Sequence, residues 1–442
     1  MSDSSASRAG AGVARAHGVG ALERWAFAGA AVILLVVTYA GGVFASITAD
    51  LGDERAYIRY AHNIIHGHYA IASQASHGLY LWHGPGLPLV LAPLVALHAG
   101  VHVLRLLGPV SLLLAGVFFW LFLRPRVSRW LALAGGLVLA LFPPLLVLLP
   151  HMRSEPLALM FLMASLWALG KAHGSGSSRW AVLGGVLAGC MVLTRVEDGY
   201  ILLVGLLACA VAFALRRERR HLLNLICVGS AVVVCLPWLG YTASLTHKFP
   251  YWASSGGLSL YLMASPTPGN TGSWVSVETI ATDPHWHADR AVIRSLSGLS
   301  QVQQDAKLQS IAFRLIRKHP GAYLEHVADN LSRTVLGGPY SFEATGRGYL
   351  FYGVPDVIVL VAVLLVVVML RRRGAPGLPD AVRVLAIFGG LNLLLHLAVA
   401  SYPRMTTLSV PAVLAVLVLG FDQLLRARER PLSPARAVPV SA

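Results

Sequence analysis

Charge is what this sequence has least of. Lys, Arg, Asp and Glu make up 12% of its 442 residues, roughly half of what a soluble domain carries, and 56% of the chain is hydrophobic, which excludes a soluble globular protein. Acids are scarcer than bases, 20 against 35, so the formal net charge is +15. A nucleic-acid partner would need those cations gathered on one face or in a recognisable motif. Here they sit in short clusters between apolar runs, as in a membrane protein, and no nucleic-acid binding is expected. Cysteine is rare too. Cys190, Cys209, Cys227 and Cys235 all fall inside apolar runs without metal-ligand spacing, so they read as small buried hydrophobes that say nothing of redox compartment. There is no Gly-rich phosphate loop and no polar block on the basic side large enough to hold a nucleotide. Nor does a charged residue lie mid-span, whereas pumps and transporters usually need ionisable groups there. Chemistry is therefore expected on the external side, on a substrate that the membrane itself delivers.

What the chain does have is long apolar segments. Residues 1–24, rich in Ser, Ala and Gly with Arg8, Arg15 and Arg24, read as a disordered cytoplasmic arm. The run from about Trp25 to Ile47 is long enough to span a bilayer and too long for a cleaved signal core. Further spans are expected near 101–123, 130–150, 156–170, 180–194, 200–215, 222–243, 351–370, 384–400 and 405–425, about ten crossings in all, each near the length a helix needs. The piece ending near Leu97 is too short and too broken by Pro and Gly to count. The clusters Arg124/Arg126/Arg129, Lys171/Arg179, Arg216/Arg217/Arg219/Arg220, Arg371/Arg372/Arg373/Arg383 and Arg426/Arg428/Arg430 fall in every second connection. That phase puts both termini in the cytoplasm, with a tail at 426–442, and expects a multi-pass protein of the inner (plasma) membrane.

The chain thus divides into a transmembrane module, 25–243, with a first external loop at 48–100, a large external region at 244–350, and C-terminal helices at 351–425. In the large region, Ser254 to Trp274 reads as Gly/Ser/Pro-rich loop. Leu308, Ile311, Ala312, Leu315 and Ile316 then recur at helical spacing until His319-Pro320 ends the helix, and Tyr323, Leu324, Val327, Leu331 and Val335 start another.

Against this background the acids stand out. Asp53 and Glu54 follow the first span directly, and in a helix Asp53 would share a face with Tyr57, Tyr60 and Ile64. An ionised carboxylate there can take a proton from a nucleophile, or it can simply start a solvated helix. Arg153 and Glu155 sit in a second external turn, before Pro156. Glu155 either complements the helix N-terminus or joins Asp53 in orienting a substrate or holding a divalent ion. Arg195 and Arg404 each stand at an external helix end, where Arg is mildly unexpected; they either anchor the interface or meet a phosphate with their guanidinium forks. His62, His66, His68, His77 and His83 match no strong zinc spacing.

In order, these stretches resemble the GT-C superfamily of membrane glycosyltransferases, close to the protein O-mannosyltransferase and aminoarabinose-transferase branch. Asp53-Glu54 with Tyr57, Ala61, Gly67 and Tyr69 is similar to the family's acidic first external helix, and His83-Gly-Pro-Gly-Leu-Pro88 stands where the family has a Pro-Pro element, here Gly84-Pro85 without a Lys. Ser154-Glu155-Pro-Leu157, Leu193-Thr-Arg195-Val-Glu197, Pro237-Trp238, Phe313 to Tyr323 and Arg404 with Pro411 resemble later motifs. The resemblance implies an all-α polytopic fold with external amphipathic helices. It also implies inverting transfer of a sugar from a polyprenyl-phosphate donor to an acceptor hydroxyl of a glycan, lipid or protein outside the cytoplasm. On it, Asp53 is the general base. Glu54 and Glu155 position the acceptor, or Asp53 and Glu155 hold a divalent cation. Arg153, Arg195 and Arg404 neutralise the departing phosphate. Tyr57, His83 and, from its place in the external loop, Asn270 would bind substrate. The rivals are a transporter or flippase of lipid-linked saccharides and a non-catalytic subunit of an assembly complex.

Overall fold

The computed structural model describes residues 3–41, 52–69, 81–342, 353–372, 378–400, 402 and 404–429. Its architecture is all-α, with no strand among the described residues. The first half of the chain folds as α1 (Asp3–Gly41), α2 (Gly52–Ile65), α3 (Gly86–Ala96), α4 (Val101–Arg105), α5 (Leu107–Leu123), α6 (Arg129–Ala140), α7 (Pro143–Leu146), α8 (Glu155–Ser175), α9 (Ser178–Thr194), α10 (Gly199–Arg216) and α11 (Arg219–Thr246). An external set follows: α12 (Gly256–Ala264), α13 (Val277–Thr282), α14 (Arg290–Arg294), α15 (Gln301–Lys318) and α16 (Pro320–Leu336). The chain closes with α17 (Val354–Arg372), α18 (Asp380–Val399) and α19 (Val410–Glu429).

Among the described residues, 8 helices are long and apolar enough to cross a membrane, and Ser178–Thr194 and Val354–Met369 are shorter apolar helices at positions where spans were expected. This is a multi-pass membrane protein. Gly86–Ala96 is a helix too short to cross, as its Pro and Gly content suggested. Helix α1 runs on from Asp3 into the apolar anchor without a break.

Water drives no helix association inside a bilayer, so the bundle relies on close backbone approach at small residues. Gly185 and Gly189, four apart on α9, face α11 so closely that a Cβ on Gly185 would lie 2.1 Å from the Cys227 carbonyl oxygen and one on Gly189 would lie 2.6 Å from Val234. Gly116 of α5 meets Gly136 and Ala140 of α6 in the same way, with a Cβ 2.7 Å from the Gly136 oxygen. At the far end of the bundle, Arg129 grips Glu23 of α1 through Nε and Nη2, at 2.7 and 2.9 Å. Asp422 of α19 accepts the Ser128 backbone N–H at the start of α6, at 2.8 Å.

The external set packs on its own core of Leu258, Tyr261, Leu262, Trp286, Leu308 and Ala312. The segment expected to be loop contains α12, whose Leu258, Tyr261 and Leu262 are buried. Asp305 of α15 accepts the Gly257 backbone N–H at 2.6 Å, and a Cβ at Gly257 would meet the Asp305 carbonyl oxygen at 2.3 Å, so only glycine admits α15 there. The expected helix pair is α15 and α16, and a capping box between Ser300 and Gln303 starts α15. The buried face of α16, however, is polar. His326, Asn330 and Arg333 are buried, while Leu324 and Leu331 of the apolar stripe are 64% and 48% exposed. Asn330 donates to the Leu397 carbonyl at 2.9 Å and Tyr323 to that of Ala398 at 2.8 Å, so hydrogen bonds to the carbonyls that α18 leaves unpaired at its C-terminal end orient the helix.

Gly185→Leu is expected to force α9 from α11 and destabilise the protein by about 3 kcal/mol or more, since an overpacked rigid contact costs ~1–3 kcal/mol before backbone is displaced. Thermal unfolding in detergent measures this, and an unchanged Tm would show that the two helices do not touch at Gly185.

Candidate active site

Helix α2 presents Asp53 in its first turn, where the helix dipole favours a carboxylate. The following chain is pinned by Tyr69, whose hydroxyl donates to the carbonyls of His83 and Gly84 at 2.8 and 2.9 Å and whose ring stacks on Tyr60 at 4.4 Å. That pinning brings His83 beside Asp53, with Nε2 3.3 Å from Oδ1. Gly84 and Gly86 let the same turn press onto the end of α9; a Cβ at either would stand 2.3 Å from Leu193 O or Thr194 Oγ1.

The other carboxylate oxygen is shared. Arg153 Nη1, from the turn before α8, lies 2.5 Å from Asp53 Oδ2, and Arg404 Nη1, from the turn before α19, lies 2.8 Å from the same atom. Arg404 also approaches Glu155 Oε1 at 3.8 Å. Arg195, at the end of α9, is divided between Glu155 (Nη1 to Oε1, 3.0 Å) and Glu197 (Nη2 to Oε1, 2.6 Å), and His396 of α18 stands 3.9 Å from Glu197. Burial by itself would raise the Asp53 carboxyl. His83, Arg404 and Arg153 outweigh it and hold the group far below the usual carboxylate range. Burial followed by the Asp53 and Glu155 charges pushes the Tyr57 phenol well above its ordinary range, so it stays protonated. Burial opposes the charge on Arg195 and on Arg404, but the neighbouring carboxylates keep both firmly cationic. Burial and then Arg153 lower the His151 imidazole, so it adds no positive charge at neutral pH.

These groups line a cavity of about 580 Å³ between the helix ends and the external set, within the range of small-molecule sites. Asp53, Tyr57, His83, Arg153, Glu155, Arg195 and Arg404 all line it, and so do Glu197, His396, Tyr402 and the tryptophans Trp82, Trp252 and Trp274. The tryptophans carried no sequence signal, being scattered among 10 Trp in a hydrophobic chain. Glu197 closes the Leu193-Thr-Arg195-Val-Glu197 motif but was given no role from sequence, and His396 carried no signal beyond being a polar residue in an apolar helix.

Two expected site residues lie elsewhere. Glu54 points away from the cavity and takes a two-pronged ion pair from Arg105, at 2.6 and 2.9 Å, with both side chains at most 1% exposed. Successive helical positions differ by about 100°, so Asp53 and Glu54 never shared a face. Asn270 is buried in the external loop. It donates to the carbonyls of Leu262 and Ser265 at 2.7 and 2.9 Å and accepts from Gly272 N at 2.9 Å, which uses up its carboxamide in building the turn. Of the histidines, His62 and His66 stack on each other at 4.4 Å on an exposed surface, and His77 lies outside the described residues. Among the described residues no three His, Cys, Asp or Glu gather as a metal site. Asp53 and Glu155 already meet guanidiniums, so their oxygens as arranged do not fit a divalent cation.

The sequence profile of the family described as dolichyl-phosphate-mannose-protein mannosyltransferase matches residues 82–241. Among solved structures, the Archaeoglobus fulgidus oligosaccharyltransferase AglB, in complex with an inhibitory peptide and a dolichol-phosphate, superposes over 94% of this chain and 52% of its own at 17% identity, TM-score 0.52. The same enzyme tethered to an acceptor peptide containing the NVT sequon covers 92% and 51%, at 17% identity and TM-score 0.54. The fold is of GT-C type. ArnT from Cupriavidus metallidurans bound to undecaprenyl phosphate aligns over 91% of this chain and 77% of its own, at 16% identity with a TM-score of only 0.39. The chain spans about half the length of the archaeal GT-C enzyme, and no curated protein matches it in sequence. Asp53 precedes the stretch matched by the family profile, and Arg404 follows it.

Glu54→Gln would strand the Arg105 guanidinium in an apolar interior, and breaking a buried pair from one side costs about 3–5 kcal/mol. Asp53→Asn, whose partners Arg153 and Arg404 stay partly exposed and can be rehydrated, should cost less, about 1–3 kcal/mol. Denaturation of both variants in detergent measures the difference; equal Tm values would contradict the two placements.

Proposed function

We propose that the protein is a GT-C glycosyltransferase that moves a sugar from a polyprenyl-phosphate donor to an acceptor hydroxyl on the extracytoplasmic face, with inversion. One observation carries the reading: a single carboxylate, Asp53, held by two guanidiniums in a cavity at the membrane boundary. A soluble donor would need a nucleotide site, and the sequence offers none. A donor anchored by its lipid would reach the cavity sideways through the bilayer and present its phosphate at the helix ends.

Arg153 and Arg404 are the cations that can turn to that phosphate, because both are partly exposed and both share one carboxylate oxygen. Arg195 is held between two carboxylates and only 8% exposed, which suits it to fixing Glu155 and Glu197 rather than to binding the donor. In the reaction the acceptor oxygen attacks the anomeric carbon and its proton passes to an Asp53 oxygen. The bond from that carbon to the phosphate oxygen breaks, and its electron pair leaves with the polyprenyl phosphate. The charge gained by the leaving phosphate meets Arg153 and Arg404, an interaction stronger in the transition state than in the ground state. With both guanidiniums on it, Asp53 is a weak base. Drawing them toward the donor raises its basicity just when a proton must be accepted. Glu155 fixes Arg195, and Tyr57 offers a hydroxyl donor. With the Arg-rich connections facing the cytoplasm, both termini lie there and the cavity opens outward across the plasma membrane.

Asp53→Asn should reduce sugar transfer by at least about 100-fold, the lower end of what a positioned base contributes, while binding of polyprenyl phosphate is retained. Transfer at the parent rate would remove Asp53 from the mechanism; substrate translocation with no new glycosidic bond would make the protein a transporter. Because no step uses a divalent ion, turnover should survive EDTA unchanged, and a loss restored by Mg²⁺ or Mn²⁺ would overturn that part. The acid limb of the activity profile gives a further check. The Asp53 carboxyl is depressed in the folded protein, so its ionised form persists above the ordinary value of about 3.9 and is lost only as pH falls below it. kcat/KM, which reports the free enzyme, should therefore show no loss from this group between pH 7 and about 5.

A further inference from the structure

The cavity has two unlike halves. Of its six formally charged side chains, Arg153, Glu155, Arg195, Glu197 and Arg404 come from turns at the ends of membrane helices and Asp53 from the start of α2. The opposite side is made by the external set and the segments docked on it, and it carries no Asp, Glu, Lys or Arg. It offers Trp82 and Trp274 with Ser255, Ser259 and Gln309, and Trp252 stands at the seam, packed into the bundle core. We infer that this neutral half is an acceptor subsite for an uncharged, hydroxyl-rich saccharide, with the tryptophans as stacking faces and the hydroxyl and carboxamide groups as hydrogen-bonding partners. The inference rests on the glycosyltransferase reading and names the acceptor class.

The chemistry of the wall selects against the alternatives. A phosphorylated or acidic acceptor would call for a cation on this side, and a lipid acceptor would want a wall without hydroxyls and amides. A saccharide ring presents an apolar C–H face and a rim of hydroxyls, which match an indole face and neutral donors and acceptors respectively. The Trp252 ring lines the cavity at 1% exposure, and its backbone carbonyl is held by the Trp238 indole N–H at 3.1 Å.

The wall is also fixed before any ligand arrives. Trp82 and Trp274 meet edge to face, with centroids 6.3 Å apart at 72°. The Trp274 carbonyl accepts the Tyr402 hydroxyl at 2.5 Å, and next to Trp82 the Leu81 carbonyl accepts the Ser254 backbone N–H at 2.9 Å while the Leu81 N–H donates to the Gln301 side-chain Oε1 of α15 at 3.1 Å. Gln309 is oriented by its bond to Asp305 Oδ2, 3.1 Å away. Trp252 lies flat enough on Gly199 that a Cβ there would fall 2.2 Å from its ring. Preorganised aromatic walls lose little freedom on binding, so the subsite can discriminate by ring shape.

The test uses the full-length protein in nanodiscs. Mannotriose and maltotriose serve as neutral probes, a galacturonic acid trimer as the acidic one and a Ser/Thr-containing peptide as the protein-like one, with tryptophan fluorescence and calorimetry as readouts. At least one neutral trisaccharide should bind about tenfold or more tightly than the acidic trimer and the peptide. Trp274→Leu should weaken it about tenfold, the loss of one stacking face, while Trp274→Phe stays near the parent. Gln309→Ala should weaken the same ligand without abolishing it. Binding of polyprenyl phosphate, which depends on the charged half, should be unchanged in every variant and thereby reports that each is folded. Equal or tighter binding of the peptide or the acidic trimer overturns the inference, as does a neutral affinity indifferent to Trp274→Leu or no neutral binding at all. Should saccharide bind but polyprenyl phosphate fail to, the donor reading falls instead.

Discussion

An aspartate set at the edge of a bilayer cannot stand alone, and the structure is arranged around meeting that constraint. Removing a carboxylate from water is costly unless cations replace the lost hydration. Asp53 finds Arg153 one hundred residues on and Arg404 some two hundred and fifty beyond that, both on the same oxygen. The chain must therefore bring together the start of the first external helix, the turn before α8 and the turn before α19. Glu155, Arg195 and Glu197 extend the same alternation of charge across the cavity. The six charges balance in sign, so the arrangement is stable without a ligand and can be redistributed when an anion enters.

The packing serves that convergence. Glycines on α5, α6 and α9 remove the side chains that would hold the helices apart, and Gly84 and Gly86 do the same for the turn that carries His83. The external set is held down by polar contacts rather than by grease. Asn330 and Tyr323 reach the carbonyls at the end of α18, and Gln301 takes the Leu81 N–H. Hydrogen bonds have directions, so this docking sets the angle of the external wall over the charged floor. The Trp82–Trp274 wall and the Asp53 floor are consequently parts of one cavity, although they belong to different layers of the molecule.

Hydropathy and charge phase made the spans legible, because whether a helix suits a bilayer depends on its own residues alone. The helix pair α15 and α16 was legible for the same reason, down to the break at His319-Pro320. The face that α16 buries was not. Leu324 and Leu331 of its apolar stripe stay exposed while Asn330 is buried, since the end of α18 offered carbonyls to satisfy. Scarcity marked several site residues: Asp53, Arg153, Glu155, Arg195 and Arg404 stood out as charges where few charges occur, and each lines the cavity. Glu54 stood out equally and went to Arg105, because neighbours on a helix point apart and only the fold supplied the partner. Asn270 was singled out by its loop alone, and the loop consumed it.

The sequence by itself thus determined the all-α membrane architecture, the approximate positions of most spans, and the short roster of polar residues able to do chemistry. These are local matters, decided by transfer of single segments between water and lipid and by backbone preference. The tertiary structure alone decided which carboxylate faces the cavity and which is sealed away, which two of three arginines remain able to turn to an anion, and that an uncharged tryptophan wall closes the far side. Those outcomes depend on distances of a few ångströms between residues hundreds of positions apart, where Coulomb energy and hydrogen-bond geometry act and where no local pattern in the chain carries the information.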